Sequence, residues 1–214
     1  MNKNPYRVLS EHYPKEHLKR EAKGNFAKKD CFIYSYEDYT PEQISDPKFE
    51  KKRDIYFGKS AKRYDLVVIR DPFNLLASRF KNQNLKRRFP NDMFSDLWIA
   101  YAQEYLGETN YLKNKVVVNY NNWFRDKEYR KQLASQLNIE FSDAGINEVK
   151  VQGGGSSFDG LQFHGQATNM DILNRWKHFS ENPEFRKLLN NKKLIEYSER
   201  IFGYIEGTES LLEK

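Results

Sequence analysis

The chain has 214 residues, 38% hydrophobic and 15% aromatic, a length that suits one α/β domain and an aromatic content that argues against disorder. Its formal charge of +6 suits an anionic ligand, but the basic residues are interleaved with acids rather than gathered in a tail, which puts nucleic acid well behind nucleotide as a partner. The single cysteine, Cys31, has no partner for an internal disulfide, and no apolar stretch is long enough to span a membrane.

In chain order, residues 14–28 read as a polar helix and Cys31-Phe32-Ile33-Tyr34-Ser35-Tyr36 as a strand, ended by Glu37-Asp38 and the turn-forming Thr40-Pro41. Helices are expected near 41–46 and 47–61. Leu66-Val67-Val68-Ile69 then forms a strand that runs into a helix reaching about residue 88. Pro90-Asn91-Asp92 breaks the chain, and Met93 to Leu106 makes an apolar-striped helix ending at Gly107. A strand at 115–119 and a helix at 121–138 follow. Three strands alternating with helices imply a parallel sheet covered on both faces, in one domain spanning 1–214. Residues 140–168 form the longest irregular stretch, rich in Gly and Ser, the kind of segment that is a lid, a binding loop or disordered.

The densest chemical signal is Arg70-Asp71-Pro72, delivered by the strand into the helix, with Ser78 eight residues after the arginine. Asp71 reads as the helix N-cap and Pro72 as its first residue. A helix amino terminus offers unpaired N–H groups and partial positive charge, and Arg70 adds a cation whose fork fits phosphate oxygens. Ser78 lies two helical turns along nearly the same face, so its hydroxyl can meet a group held by Arg70. The competing reading is a strand-end arginine paired with a carboxylate and a serine bonded back into its own helix.

Strand, Arg-x-Pro and Ser at this spacing resemble the 3′-phosphate-binding motif of sulfotransferases that use 3′-phosphoadenosine 5′-phosphosulfate (PAPS). Two further stretches resemble the same family. Lys115-Val116-Val117-Val118-Asn119-Tyr120 and the helix after it match a strand and "Tyr-Glu-Asp-Leu"-type turn, with Asn121 and Asn122 replacing the usual acidic pair. Asn169 to Lys177, with Arg175-Trp176, and a last amphipathic helix closing on Ile201-Phe202-Gly203-Tyr204 match the bacterial sulfotransferase ending. Between them, Gly153-Gly154-Gly155-Ser156-Ser157-Phe158 stands where the family carries a flexible loop that closes over the cofactor.

The resemblance implies a P-loop NTPase-like, sulfotransferase-like parallel sheet flanked by helices, transferring sulfuryl from PAPS to a hydroxyl or amine on an acceptor such as a carbohydrate. It implies PAPS or adenosine 3′,5′-bisphosphate as ligand, no metal, and a cytoplasmic location, which the lack of a signal peptide also suggests. Arg70 and Ser78 would hold the 3′-phosphate, with Gly153, Gly154, Gly155, Ser156 and Arg175 as further cofactor contacts.

The family's amino-terminal strand and Pro-Lys-Ser-Gly-Thr-Thr-type loop for the 5′-phosphosulfate have no counterpart. Tyr13-Pro14-Lys15-Glu16-His17 and Gly58-Lys59-Ser60 copy a few letters of such loops without the strand and small residues that an anion cradle needs. The chain is therefore expected to lack the family's first strand–loop–helix unit. It would then be a truncated enzyme, a non-catalytic nucleotide-binding module, or a subunit completed by another chain. Glu37, just past the end of the first expected strand, is the candidate base for the acceptor hydroxyl, with Asp38 as its rival. His12, His17, His164 and His178 lack metal-ligand spacing, and His164 lies near the glycine-rich loop.

Overall fold

The computed structural model describes residues 33, 35–36, 39–51, 62–82, 91–151 and 154–212. The chain divides into two units, Met1–Arg63 and Tyr64–Lys214.

In the first unit, Thr40 starts helix α1 (Pro41–Ser45) with a reciprocal cap: its hydroxyl accepts from the Gln43 N–H at 3.2 Å, and its own N–H donates to Gln43 Oε1 at 2.9 Å. Tyr36 and Tyr39 pack edge-on against Phe49, at 5.8 and 5.1 Å between ring centroids. Of the strand expected at Cys31–Tyr36, Ile33, Ser35 and Tyr36 are described and none is in a strand; Ile33 is 86% exposed. The helix expected at 14–28 lies outside the described residues, and the one expected at 47–61 is helical over its described part, 47–51.

The second unit is α/β, built on two parallel strands, β1 (Asp65–Ile69) and β2 (Lys115–Asn119), in register from Asp65 opposite Lys115 to Ile69 opposite Asn119. Parallel pairing needs a long crossover, supplied by α2 (Pro72–Lys81) and α3 (Asn91–Leu106). On one face Ile69 joins Phe73, Leu76, Trp98, Ile99, Trp176 and the carboxyl-terminal helices α6 (Pro183–Leu189) and α7 (Lys192–Phe202) in the main core. On the other face Val116 and Val118 pack with Leu133, Trp123 and Tyr129, from α4 (Tyr120–Arg125) and α5 (Lys127–Leu137).

The parallel register puts Leu66 and Val68 on that second face, yet they are 48% and 57% exposed. Among the described residues the sheet therefore has two strands, not three, and over β1 this face is bare rather than covered. The helix expected at 121–138 is two helices, because Asp126 is extended and caps α5 by accepting from the Glu128 N–H at 2.8 Å. α2 stops at Lys81 rather than near 88, with extended Asn82 as its C-cap.

Candidate anion site

The carboxyl ends of β1 and β2 open side by side, where ligands of parallel α/β sheets sit. At β1, Asp71 caps α2: its Oδ1 accepts from the Asn74 N–H at 2.8 Å. The Asn74 side-chain amide bridges both Asp71 oxygens at 3.0 Å and donates to the Leu173 carbonyl at 2.9 Å. Asn74 Oδ1 then accepts from the backbone N–H of Arg175 at 2.8 Å and, more weakly, of Trp176 at 3.4 Å. Asp71 and Asn74 are 0% and 1% exposed, so these bonds are undiluted by water. The Asn74 N–H of the helix terminus is thus answered by the Asp71 carboxylate, and two arginine side chains add positive charge at this end of the sheet.

Arg70 supplies the first of them. Its Nη1 donates to Ser78 Oγ at 3.4 Å, its Nη2 to the Ile172 carbonyl, and its guanidinium stands over the Tyr120 ring at 5.4 Å from the centroid. Its Nε is buried with no hydrogen-bond partner among the described residues. Its carbonyl accepts from Trp98 Nε1 at 2.9 Å, which ties the strand end to α3. Burial lowers the guanidinium below its ordinary value, Asp71 and Tyr120 raise it, and the charge of Arg175 lowers it again.

Arg175 is the second cation, 6% exposed, at the start of a 3₁₀ turn (Arg175–Phe179). Its Nη2 donates to Ser156 Oγ at 2.8 Å and Asp159 Oδ2 at 2.9 Å, and its Nη1 reaches Ser157 Oγ at 3.4 Å. Burial lowers it too, against the opposing charge of Asp159. Ser156 and Gly160 exchange backbone bonds at 2.8 and 2.9 Å, closing the turn that carries these partners. Gly155, at φ +82°, must be glycine here, since a Cβ would lie 2.3 Å from the Gly160 oxygen.

Of the residues singled out in the sequence, Arg70 and Ser78 meet directly, and Ser156 meets Arg175. Gly154 is exposed at φ +83°, its N–H donating to the Val151 carbonyl at 3.0 Å. His164 bonds the Val149 carbonyl through Nδ1 at 3.0 Å, within its own loop. Glu37, Asp38 and Gly153 lie outside the described residues. Sequence reasoning gave Asn74 no role, and it read Tyr120 only as part of a strand-and-turn match and Asp159 only as a neighbour of His164 in the glycine-rich loop region. Tyr120 had a usable signal, as the first residue past the carboxyl end of a parallel strand. Next to it Asn121 is 8% exposed, its Oδ1 without a partner among the described residues.

Compared with known proteins, the chain matches no family profile, no curated protein and no solved structure.

Proposed function

We propose that the crevice formed by Arg70, Ser78, Tyr120 and Arg175 binds the phosphate ester of a nucleotide. More specifically, the second unit is read as a P-loop-like, sulfotransferase-like domain whose ligand is PAPS or adenosine 3′,5′-bisphosphate, with a carbohydrate hydroxyl or amine as acceptor. The observation that carries the reading is the Arg70 guanidinium: at the carboxyl end of a parallel strand, beside the Ser78 hydroxyl, it keeps a buried Nε without a partner among the described residues. An unanswered buried donor costs about 1–3 kcal/mol, and a phosphate oxygen would answer it.

The residues fit the 3′-phosphate end of the ligand. Arg70 and Ser78 would anchor the oxygens, Arg175 would contribute a second positive charge, and Asn74 holds the Leu173–Arg175 segment against α2, which keeps the two cations near each other and near Tyr120. PAPS, when bound, supplies an activated sulfuryl group. A second reading, binding without transfer, draws support from two of the carboxylates beside these arginines among the described residues. Asp71 and Asp159 are both engaged by donors, which leaves neither ready to take an acceptor's proton.

Titration calorimetry with adenosine 3′,5′-bisphosphate tests the site. Saturable binding is expected, weakened roughly a hundredfold in Arg70→Ala, the loss that goes with a charge-assisted phosphate contact. Equal affinity in the two proteins overturns the proposal. Incubation with PAPS and a panel of amino sugars and polysaccharides separates the two readings: sulfated product supports transfer, and binding with no product supports the binding module.

A further inference from the structure

One guanidinium of the crevice is already engaged by an anion. Ser156 Oγ, Ser157 Oγ and Asp159 Oδ2 surround the Arg175 fork with three oxygens and one negative charge, and Phe158 lies against the guanidinium at 4.9 Å. The set is built as well as filled. Ser156 Oγ donates to Asp159 Oδ2 at 2.9 Å and accepts from the N–H groups of Phe158 and Asp159 at 3.3 and 3.2 Å, inside the closed Ser156–Gly160 turn. Three oxygens with a negative charge, held on the fork of an arginine, reproduce what a bound phosphate offers.

We propose that Asp159 is an internal counter-ion that occupies Arg175 and is displaced when a phosphate ester binds. The idea rests on the reading of the crevice as a phosphate site and deepens it. The half-buried Arg70 and the buried Arg175 are close enough to repel each other, and beside Asp71 at Arg70 and Asp171 near Arg175 it is Asp159 that sits directly on a guanidinium and relieves that repulsion in the absence of ligand. Arg70 takes the first contact with an incoming phosphate. Arg175 then changes partner, from the singly charged carboxylate to the more highly charged phosphate, and the Ser156–Gly160 turn loses its anchor. Asp159 thereby lowers the affinity of the site and disfavours ligands too weakly charged to replace it.

Calorimetry with adenosine 3′,5′-bisphosphate on the full chain, comparing wild type with Asp159→Asn, reads the competition. The asparagine keeps size and hydrogen bonding but removes the charge, and affinity is expected to rise roughly tenfold, the equivalent of about one charge-assisted hydrogen bond. Ser157→Ala, which leaves the carboxylate in place, is expected to change affinity less than threefold. Amide hydrogen exchange in the wild type is an independent readout that needs no variant to fold. Displacement predicts faster exchange at Phe158 to Gly160 on adding the bisphosphate, whereas a loop that merely closes over the ligand predicts slower exchange. Unchanged or weaker binding in Asp159→Asn, or slower exchange in the wild type, overturns the counter-ion even where Arg70-dependent binding stands. No binding by the wild type overturns the phosphate site and the counter-ion with it.

Discussion

Two charged side chains, the fully buried Glu104 and the half-buried Arg70, sit at opposite ends of the same two-stranded sheet, and they are finished differently. At the amino end of β2, the fully buried Glu104 accepts from Thr109 Oγ1 at 2.6 Å, the Tyr111 and Leu112 N–H groups at 3.1 and 3.2 Å, and Lys115 Nζ at 3.1 Å. Both its oxygens are answered, and the charge is closed inside the fold. At the carboxyl end of β1, Arg70 has a hydroxyl, a carbonyl and an aromatic face around it, yet its Nε stays unanswered among the described residues. A buried charge with every hydrogen bond made organises structure, whereas one with a donor left over has capacity for a ligand.

The comparison breaks first at Glu104. Replacing it by Gln leaves Lys115 without its counter-charge and turns an acceptor into a donor among donors, which should cost on the order of 3–5 kcal/mol. A fall in Tm of roughly 6–20 °C is expected by scanning calorimetry, a few degrees per kcal/mol in a protein of this size. Burial alone would raise the Glu104 carboxyl, but bonds from Thr109, Leu112, Lys115 and Tyr111 outweigh it and hold the group below its ordinary 4.5. Its stabilising contribution is therefore complete above pH 4.5 and disappears as pH falls through the lower folded value. Between neutral pH and pH 3 the wild type should lose more stability than Glu104→Gln. Parallel pH curves for the two proteins would contradict this account of the buried carboxylate.

Asn74 sharpens the contrast, because it lies at the Arg70 end of the sheet but is finished like Glu104. Asn74→Ala leaves Asp71 only the backbone N–H of residue 74 and strands Asp71 Oδ2, the Leu173 carbonyl and the Arg175 N–H in a dry environment, for an expected loss of about 2–3 kcal/mol. It should also weaken bisphosphate binding, since the latch is what keeps Arg175 near Arg70. Full stability in denaturant titrations of Asn74→Ala would show that this end of the sheet is held by something other than the amide.

What the sequence made legible follows the distance along the chain over which each interaction acts. Strand, N-cap Asp71, Pro72 and the Arg70–Ser78 approach are local, and local patterns carry them. The Asn74 latch joins residues about a hundred positions apart, and the Arg175–Asp159 pair depends on how a loop without periodicity folds back, so neither has a local signature. The α/β class was readable from strands that alternate with helices. The exposure of Leu66 and Val68 among the described residues was not, because an apolar run reads as buried whether or not anything lies over it.

A smaller and more local effect is expected at Gly155. Gly155→Ala sets a Cβ against the Gly160 oxygen at a φ that L residues seldom adopt, so the Ser156–Gly160 turn should open at a cost of about 1–3 kcal/mol without unfolding the domain. Limited proteolysis is the direct measure, with cleavage between 154 and 160 faster in the variant and global Tm shifted little. Unaltered nicking would mean that the turn tolerates the clash by moving as a whole.

Ser78 should give the smallest effect and the most specific one. Its hydroxyl meets Arg70 at 3.4 Å, a long contact on a half-buried serine of α2, so removing it disturbs no packing and strands no strong bond. Ser78→Ala is expected to leave Tm within about 1–2 °C of wild type, as weakly engaged positions usually do. In a phosphate site the same hydroxyl donates to a ligand oxygen while Arg70 grips the others. Its loss should then weaken adenosine 3′,5′-bisphosphate roughly three- to tenfold, the worth of one ordinary hydrogen bond of about 0.5–1.5 kcal/mol. The discriminating quantity is the pattern across variants: Glu104→Gln moves stability and leaves the affinity of the folded protein alone, and Ser78→Ala does the reverse. If Ser78→Ala lowers Tm and leaves affinity unchanged, the serine is part of the scaffold, and the two ends of the sheet differ less than the unanswered Arg70 Nε implies.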